Sequence, residues 1–190
     1  LPLRTNIGQT TQLASNSKLN QLKAVYCHDG YITPARFKEH CVGSTYRLQE
    51  TNTSELAEDN KKNLEKLKIA LPEITSSNLS EGNLTGWVGM RCASPDYLPI
   101  VGPIPNQTEF FDTYTGLSKN AKLQISKKAP VFPGLYISTA HGSRGLTYAA
   151  LSGEIIASSI LGEPPPVSRR ILRAISPARF LVRKIIKARN

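Results

Sequence analysis

The chain has 190 residues and a formal net charge of +10, with 39% hydrophobic and 20% charged residues. This composition supports a packed core and argues against wholesale disorder, and no apolar run reaches the roughly 20 residues of a membrane-spanning helix. Three cysteines are too few for a disulfide framework, and their odd number favours a reducing compartment such as the cytoplasm. Because the only methionine is Met90, we expect the chain to be part of a longer polypeptide.

Residues 1–50 contain several β-rich segments around Pro34. A hairpin centred on that proline would place Cys27 opposite Cys41 and His28 opposite His40. Side chains of neighbouring residues on a strand point to opposite faces, so the two cysteines and the two histidines could not share one tetrahedral metal ion. The sequence therefore predicts no metal site here.

Residues 54–71 have the pattern of an amphipathic helix that ends before Pro72. Ser54 is the predicted N-cap, and the apolar face comprises Leu56, Leu64, Leu67 and Leu71. Residues 73–83 are a predicted loop. The next segment, GWVGMRCAS, is a predicted strand that carries Arg91.

A proline-rich run follows this strand, with prolines at positions 95, 99, 103 and 105. Proline cannot donate to a β-ladder, so we expect an extended path that avoids the centre of a sheet. Residues 107–133 are expected to be irregular, with a short helix near 114–120.

The sharpest local pattern is GLYISTAHGSRGLTYAALSGEIIASSILGE, which begins at Gly134. It predicts a strand over 134–139, a glycine-flanked turn over 141–145 and a helix over 146–161. The N-terminus of that helix would expose unpaired N–H groups and the positive end of the helix dipole.

The basic tail, residues 164–190, has eight basic residues and no acidic residue. The rest of the chain is nearly neutral, so the tail points to a polyanion, either nucleic acid or an anionic membrane surface. It is predicted to form one or two short basic amphipathic helices broken at Pro177. The candidate nucleic-acid contacts are Arg169, Arg170, Arg173, Arg179, Arg183, Lys184 and Lys187.

No self-sufficient catalytic motif is present: the sequence has no GxGxxG, no GxxxxGK[ST] and no HExxH. Ser143 lacks the GxSxG setting of a nucleophile elbow. Arg91 and Arg144 lie beside glycine or proline and could each hold a carboxylate or phosphate. Either could equally be a surface arginine or a member of a structural salt bridge.

The motifs DGYITP, HCVGSTY, RCASPDYLPIVG and GSRGLTYAAL follow one another in an order that resembles the D-amino-acid-oxidase-like FAD oxidoreductases. The resemblance extends over the whole chain and corresponds to the C-terminal half of that family. With the tail segment PARFLVRKIIK, it is closest to a bifunctional branch that modifies the wobble uridine of bacterial tRNA.

The resemblance implies a reaction and a set of site residues. FAD would serve to remove the carboxymethyl group from 5-carboxymethylaminomethyl-uridine in tRNA. Arg91 would bind the substrate carboxylate, Tyr31 would line the substrate cavity, and the residues nearest the flavin would be Gly142, Ser143, Arg144, Gly145 and Leu146. The implied partners are tRNA and the upstream methyltransferase and FAD-binding segments of the same polypeptide, with no membrane.

The fold class implied is α+β, with a mixed or antiparallel sheet covered by helices and a C-terminal βα unit of an incomplete FAD-binding domain. We expect a substrate-binding domain over 1–133, a returning strand and helix over 134–163, and the tail over 164–190. Because the dinucleotide fingerprint is missing from the sequence, we expect the chain alone to bind FAD weakly or not at all.

Two alternatives remain open. One is an FAD-dependent oxidase of a free amino acid such as glycine or sarcosine, although a small substrate needs no cationic tail. The other is a nucleic-acid-binding module without catalytic activity.

Overall fold

The computed structural model describes residues 1–75 and 84–188, and it confirms the α+β class. The chain divides into two compact units. The N-terminal unit is Thr5–Arg91, and the C-terminal unit combines Leu1–Arg4 with Cys92–Asn190. The division therefore falls at 91/92, whereas the sequence placed the first boundary at 133/134.

The N-terminal unit is built on a six-stranded sheet with β1 at its centre. β1 pairs antiparallel with β4, from Thr10 opposite Gly43 to Ala14 opposite Glu39. It also pairs antiparallel with β5, and it pairs with β6. The strands are β1 (Arg4–Ala14), β2 (Tyr26–Cys27), β3 (Tyr31–Ile32), β4 (Glu39–Gly43), β5 (Arg47–Leu48) and β6 (Thr85–Ala93).

The predicted hairpin centred on Pro34 is wrong, because β2, β3 and β4 form a meander with two reversals. Cys27 lies opposite Tyr31, and Tyr31 in turn lies opposite Gly43. The first reversal uses Asp29-Gly30, with the His28 N–H donating to the Gly30 carbonyl oxygen at 2.9 Å.

The second reversal uses Phe37 and Lys38, both with positive φ, as a two-residue hairpin turn requires. Across the described residues, no group of three or more histidine, cysteine, aspartate or glutamate side chains could hold a metal ion.

Helix α1 (Ala57–Ala70) lies against this sheet and starts later than predicted. Ser54 does not cap it. The side-chain oxygen of Gln9 on β1 instead accepts a hydrogen bond from the Leu56 N–H at 2.9 Å, so the sheet holds the start of the helix. The predicted leucine face is confirmed at Leu64 and Leu67, which are buried in the core together with Leu13, Ile32 and Val42.

A buried polar network also joins β1 to α1. Asn60 Oδ1 accepts hydrogen bonds from Gln9 Nε2 at 2.9 Å and Thr11 Oγ1 at 2.7 Å. The Asn63 amide donates to the Gln9 carbonyl oxygen at 3.0 Å. These contacts fix the position of the strand segment that follows Gly8. Beyond α1, the predicted loop 73–83 begins inside a one-turn helix, α2 (Pro72–Thr75), and its remainder lies outside the described residues.

The C-terminal unit contains a two-stranded antiparallel sheet with Ile100 opposite Thr139. The proline-rich run enters this sheet, and the register is irregular between Pro103 and Pro105. The elements of this unit are β7 (Ile100–Pro105), α3 (Gln107–Tyr114), β8 (Val131–Thr139), α4 (Gly145–Leu161), α5 (Arg169–Ile175) and α6 (Arg179–Lys187). Helix α4 packs against both β7 and β8.

The prediction of an irregular segment over 107–133 is wrong for its first part, which is α3. The Asn106 side chain caps α3 by accepting from the Glu109 N–H, and the Asn106 amide donates to the Glu109 carboxylate at 2.7 Å. Asn106 is thus an N-cap residue that also binds the Glu109 side chain, and its own backbone N–H donates to the Pro130 carbonyl oxygen at 3.0 Å.

The predicted helical break near Pro177 is confirmed, since α5 ends at Ile175 and α6 begins at Arg179. Both helices contribute to buried clusters. Ile175 packs with Val101 and Ile155, and Ile185 of α6 packs with Phe110 and Leu117. Among the described residues, no helix is long and apolar enough to cross a membrane.

Candidate functional site

Arg91 lies near the end of β6 in the N-terminal unit, and its guanidinium covers the backbone of Gly8 on β1. A Cβ atom at position 8 would overlap that guanidinium, so the glycine makes room for it. Arg91 Nη2 donates to Ser44 Oγ at 3.4 Å, and the guanidinium carbon lies 5.0 Å from the centre of the Tyr46 ring. These contacts orient the side chain without neutralising its charge.

The other terminal nitrogen of Arg91, Nη1, is buried and has no hydrogen-bond partner. Buried polar groups are nearly always paired, and an unpaired charged donor is costly. A carboxylate bound at Nη1 would remove this cost, because the guanidinium fork matches its two oxygens. Arg91 is therefore a charged group whose hydrogen-bonding capacity the described residues do not fully use.

Tyr31 belongs to the same cluster. Burial of its ring, together with the hydrogen bond and the proximity of the Cys41 thiol, raises the pKa of the Tyr31 hydroxyl, and the nearby Arg91 charge opposes this only in part. The hydroxyl stays protonated at neutral pH and can donate a hydrogen bond. We call Gly8, Tyr31, Cys41, Ser44, Tyr46 and Arg91 the Arg91 cluster.

Only two members of the Arg91 cluster, Arg91 and Tyr31, are candidates from the sequence alone. The other four come from β1, from β4 and from the segment that follows β4. Cys41, Ser44 and Tyr46 all lie in the segment HCVGSTY, which the resemblance above includes. Their meeting with Arg91 depends on long-range strand pairing, so residue spacing alone could not reveal it.

The predicted flavin-proximal segment forms a separate feature in the C-terminal unit, which we call the Gly142 bend (residues 141–146). It is a single 3-10 turn, Gly142–Arg144, that leads into α4. Gly142 has a left-handed φ of +56°, and a Cβ atom there would meet nothing within 4 Å. The Leu146 side chain is 99% exposed. The bend thus presents backbone, with open space in front of it.

His141 opens the Gly142 bend. Its Nε2 lies 3.0 Å from Ser138 Oγ, while its Nδ1 is buried without a hydrogen-bond partner. Burial lowers the pKa of His141, so the ring is neutral at neutral pH. Arg144 turns along α4 and donates to the Tyr148 hydroxyl at 3.3 Å. Ser143 and Gly145 complete the turn before the first N–H groups of α4.

The candidate nucleic-acid residues divide into two kinds. Arg179 is buried, and its guanidinium donates two hydrogen bonds of 3.0 and 2.9 Å to the Asp96 carboxylate. It also donates to the Ile175 carbonyl oxygen. Hydrogen bonds from Arg179 hold the pKa of Asp96 far below its usual range. Arg179 therefore stabilises the unit and is poorly placed to contact nucleic acid. The exposed candidates are Arg169, Arg170, Arg173, Arg183, Lys184 and Lys187.

Comparison with known proteins gives relatives over the whole chain. A bifunctional protein of Legionella pneumophila (strain Corby), named for tRNA 5-methylaminomethyl-2-thiouridine biosynthesis and called MnmC, is 42% identical over 98% of this chain. The MnmC protein of Aeromonas salmonicida is 39% identical over 100% of it. The chain spans 28% of the length of each of these relatives.

Solved structures of lower identity share the fold. Glycine oxidase from Geobacillus kaustophilus has a TM-score of 0.66 at 16% identity, over 93% of this chain and 39% of that one. Glycine oxidase from Bacillus cereus has a TM-score of 0.58 at 23% identity, over 83% and 35%. Residues 1–159 match the family described as DAO, FAD dependent oxidoreductase. The chain belongs to this DAO family of FAD-dependent oxidoreductases.

Proposed function

We propose that this chain is the substrate-binding part of an FAD-dependent oxidoreductase that removes the carboxymethyl group from 5-carboxymethylaminomethyl-uridine in tRNA. The observation that carries the proposal is the buried, unpaired Nη1 of Arg91. The family and the names of the relatives support the flavin chemistry and the tRNA substrate.

The substrate offers a carboxylate separated from an amine by one methylene. Arg91 binds the carboxylate through its unpaired Nη1 and fixes the position of the methylene. The protonated Tyr31 hydroxyl donates to the same anion from the side of β3. Holding a reacting carbon in one place lowers the entropic part of the barrier, so the Arg91 cluster contributes by positioning.

The residues present fit FAD at the Gly142 bend. Its glycine at position 142 leaves the space in front of the backbone clear, and the first N–H groups of α4 supply a positive dipole end. Gly142, Ser143, Arg144, Gly145 and Leu146 would hold the cofactor. A bound flavin would supply the hydride acceptor for this oxidation. Gly142 and Gly145 place no side chain there, and the first N–H groups of α4 would stabilise negative charge on the cofactor.

The C-terminal unit also supports the proposal of a larger FAD-binding domain in the same polypeptide. In the described part of the chain, β8 pairs only with β7, which leaves its second edge open. Leu135 on β8 and Leu151 and Leu161 on α4 are largely exposed. Exposed apolar surface beside an open strand edge fits burial by further strands. An upstream methyltransferase segment completes the proposed bifunctional protein.

We propose tRNA as the macromolecular partner and the cytoplasm as the compartment. Six exposed cations on α5 and α6 supply phosphate contacts. The three cysteines are all free thiols, which suits a reducing compartment.

The test is flavin reduction under anaerobic conditions in the full-length polypeptide loaded with FAD. With tRNA that carries the carboxymethylaminomethyl group, Arg91→Gln should lower kcat/KM by a factor on the order of 100, because a charged hydrogen bond to the carboxylate is lost. The matched control is Arg36→Gln, which changes an arginine of the same unit outside the cluster.

Three outcomes would contradict the proposal. Equal effects of the two substitutions would show that Arg91 does not bind the substrate. Faster reduction by free glycine or sarcosine than by tRNA would favour the amino-acid oxidase. Binding of tRNA without any flavin reduction would favour a module without catalytic activity.

A further inference from the structure

A groove in the C-terminal unit is not used by the site described above. It runs between α6, the end of β7 at Ile104 and Pro105, the start of α3 and the N-terminal residues Leu1 and Pro2, and it has a volume of about 660 Å³. That volume lies within the ~300–1,000 Å³ of typical ligand pockets. We call it the α6 groove.

The lining of the α6 groove combines two chemistries. One wall is apolar and includes Pro105, Phe180 and Leu181. The other carries three cations, Arg183, Lys184 and Lys187, and no acidic residue is among the described residues that line the groove. A ligand that fits both walls has a flat apolar body joined to a negative charge.

The cations are partly ordered by aromatic rings. The Arg183 guanidinium carbon lies 5.4 Å from the centre of the Phe180 ring, and Lys184 Nζ lies 5.5 Å from the centre of the Phe111 ring. Arg183 also contacts Asp96 at 2.6 Å, so Lys184 and Lys187 offer the less compensated charges. Ordering of this kind reduces the entropy lost when a phosphate binds.

We propose that the α6 groove seats one unstacked nucleoside of the tRNA, a contact that rests on the function proposed above. The base packs against Pro105 and Leu181, because the Arg179 guanidinium lies 4.2 Å from the centre of the Phe180 ring and covers one face of it. Its neighbouring phosphates lie on Lys184 and Lys187. Proteins that bind single-stranded RNA combine these two interactions, apolar or aromatic contact with the base and cationic contact with the backbone.

A membrane surface fits the α6 groove less well. A helix that binds in a membrane interface must turn its apolar face into the lipid. The apolar face of α6 is already occupied, because Ile185 is buried with Phe110 and Leu117. The groove is a pocket beside the helix, which suits a single base better than an acyl-chain surface.

Gln107→Glu in the 190-residue chain tests the proposal. Gln107 lines the groove and is the first residue of α3, where an added carboxylate is compatible with the helix dipole. The substitution should weaken tRNA binding about fivefold by repelling phosphate. Thr108→Glu is the matched control, since it adds the same charge one residue further along α3 outside the groove lining. It should change the affinity less than twofold.

Two further measurements separate base insertion from general charge attraction. Lys184→Gln with Lys187→Gln should reduce the slope of log affinity against log salt by about 1.4, twice the value for one single-stranded phosphate contact. Uridine 5′-monophosphate should compete with tRNA for the wild-type chain at lower concentration than inorganic phosphate does, and Gln107→Glu should weaken that competition.

The proposal for the α6 groove would be overturned if Gln107→Glu and Thr108→Glu bound tRNA with equal affinity. It would also be overturned if uridine 5′-monophosphate and inorganic phosphate competed equally well. Either result leaves the proposed function unaffected. Binding to phosphatidylserine-containing vesicles that Gln107→Glu weakens, with tRNA binding unaltered, would assign the groove to a membrane. If the wild-type chain binds no tRNA at all, both the groove and the tRNA part of the proposed function fail. Normal groove results without flavin reduction would refute the proposed function alone.

Discussion

Asp96 gives the sharpest stability prediction, because its carboxylate connects the segment between β6 and β7 to α6. It accepts two hydrogen bonds from Arg179 and one from Arg183 on α6. It also accepts from Ser94 Oγ at 2.8 Å and from the Leu98 N–H at 3.3 Å. Asp96→Asn keeps the shape of this side chain and removes its charge.

The expected loss in the free energy of unfolding follows from the burial of the Asp96–Arg179 ion pair. Removing one partner of a buried ion pair typically costs about 3–5 kcal/mol. The Asp96 side chain is 19% exposed and the Arg179 side chain 6% exposed, so we expect the lower part of that range, about 3 kcal/mol. The asparagine amide would also turn a donor toward guanidinium N–H groups.

Urea unfolding of the 190-residue chain measures this change, with Asp112→Asn as the control. Asp112 is an exposed carboxylate on α3, and its substitution should change the free energy of unfolding by less than about 0.5 kcal/mol. A loss below 1 kcal/mol for Asp96→Asn would refute the reasoning that Arg179 depends on this carboxylate.

The pH dependence of the same variant supplies an independent check. Because the pKa of folded Asp96 is depressed, its contribution is fully present above the unfolded value of about 3.9 and is lost as the pH falls toward the folded value. The stability difference between wild type and Asp96→Asn should therefore be constant from neutral pH to about 5 and shrink at lower pH. A difference that grew on acidification would contradict this assignment.

Three further substitutions and one control test the Arg91 cluster and the Gly142 bend. Gly8→Ala should lower kcat/KM for the tRNA substrate by about tenfold, because a Cβ atom there displaces the Arg91 guanidinium. The control is Gly153→Ala, where a Cβ atom meets nothing within 4 Å. It should leave activity unchanged and raise the free energy of unfolding by about 0.5–1 kcal/mol. Tyr31→Phe should raise KM a few-fold and leave the unfolding free energy within about 1 kcal/mol, as expected for one hydrogen bond. Gly142→Ala should lower the free energy of unfolding by about 1–2 kcal/mol, because position 142 has a left-handed φ. Titration of the full-length polypeptide with FAD should show weaker binding for this variant than for the wild type.

The features that the sequence predicted correctly depend on local spacing. Leu64 and Leu67 recur at a helical interval, so α1 and its buried face followed directly. The glycine-flanked turn before α4 is likewise local. The predicted N-terminal hairpin is wrong because the chain reverses at Asp29-Gly30, a strong turn signal, and not at Pro34.

The features that the sequence missed depend on contacts between distant segments. Asp96 and Arg179 are 83 residues apart, and a basic tail predicts exposed cations, so the burial of one of them could not be expected. Gly8 and Arg91 meet only because β6 pairs with β1. Neither the pairing nor its register is encoded in a short pattern.

The two arginines provide the strongest argument for a ligand at Arg91. The sequence allowed two roles for such a residue, a structural salt bridge or an anion contact. Arg179 shows what the structural role looks like in this protein, since its guanidinium makes five hydrogen bonds, two of them within its ion pair with Asp96. Arg91 has one long hydrogen bond, a ring contact and an unpaired buried Nη1. A fold that satisfies the Arg179 guanidinium so completely leaves Arg91 Nη1 unsatisfied at a cost, and the carboxylate that we propose to bind at Arg91 would offset that cost.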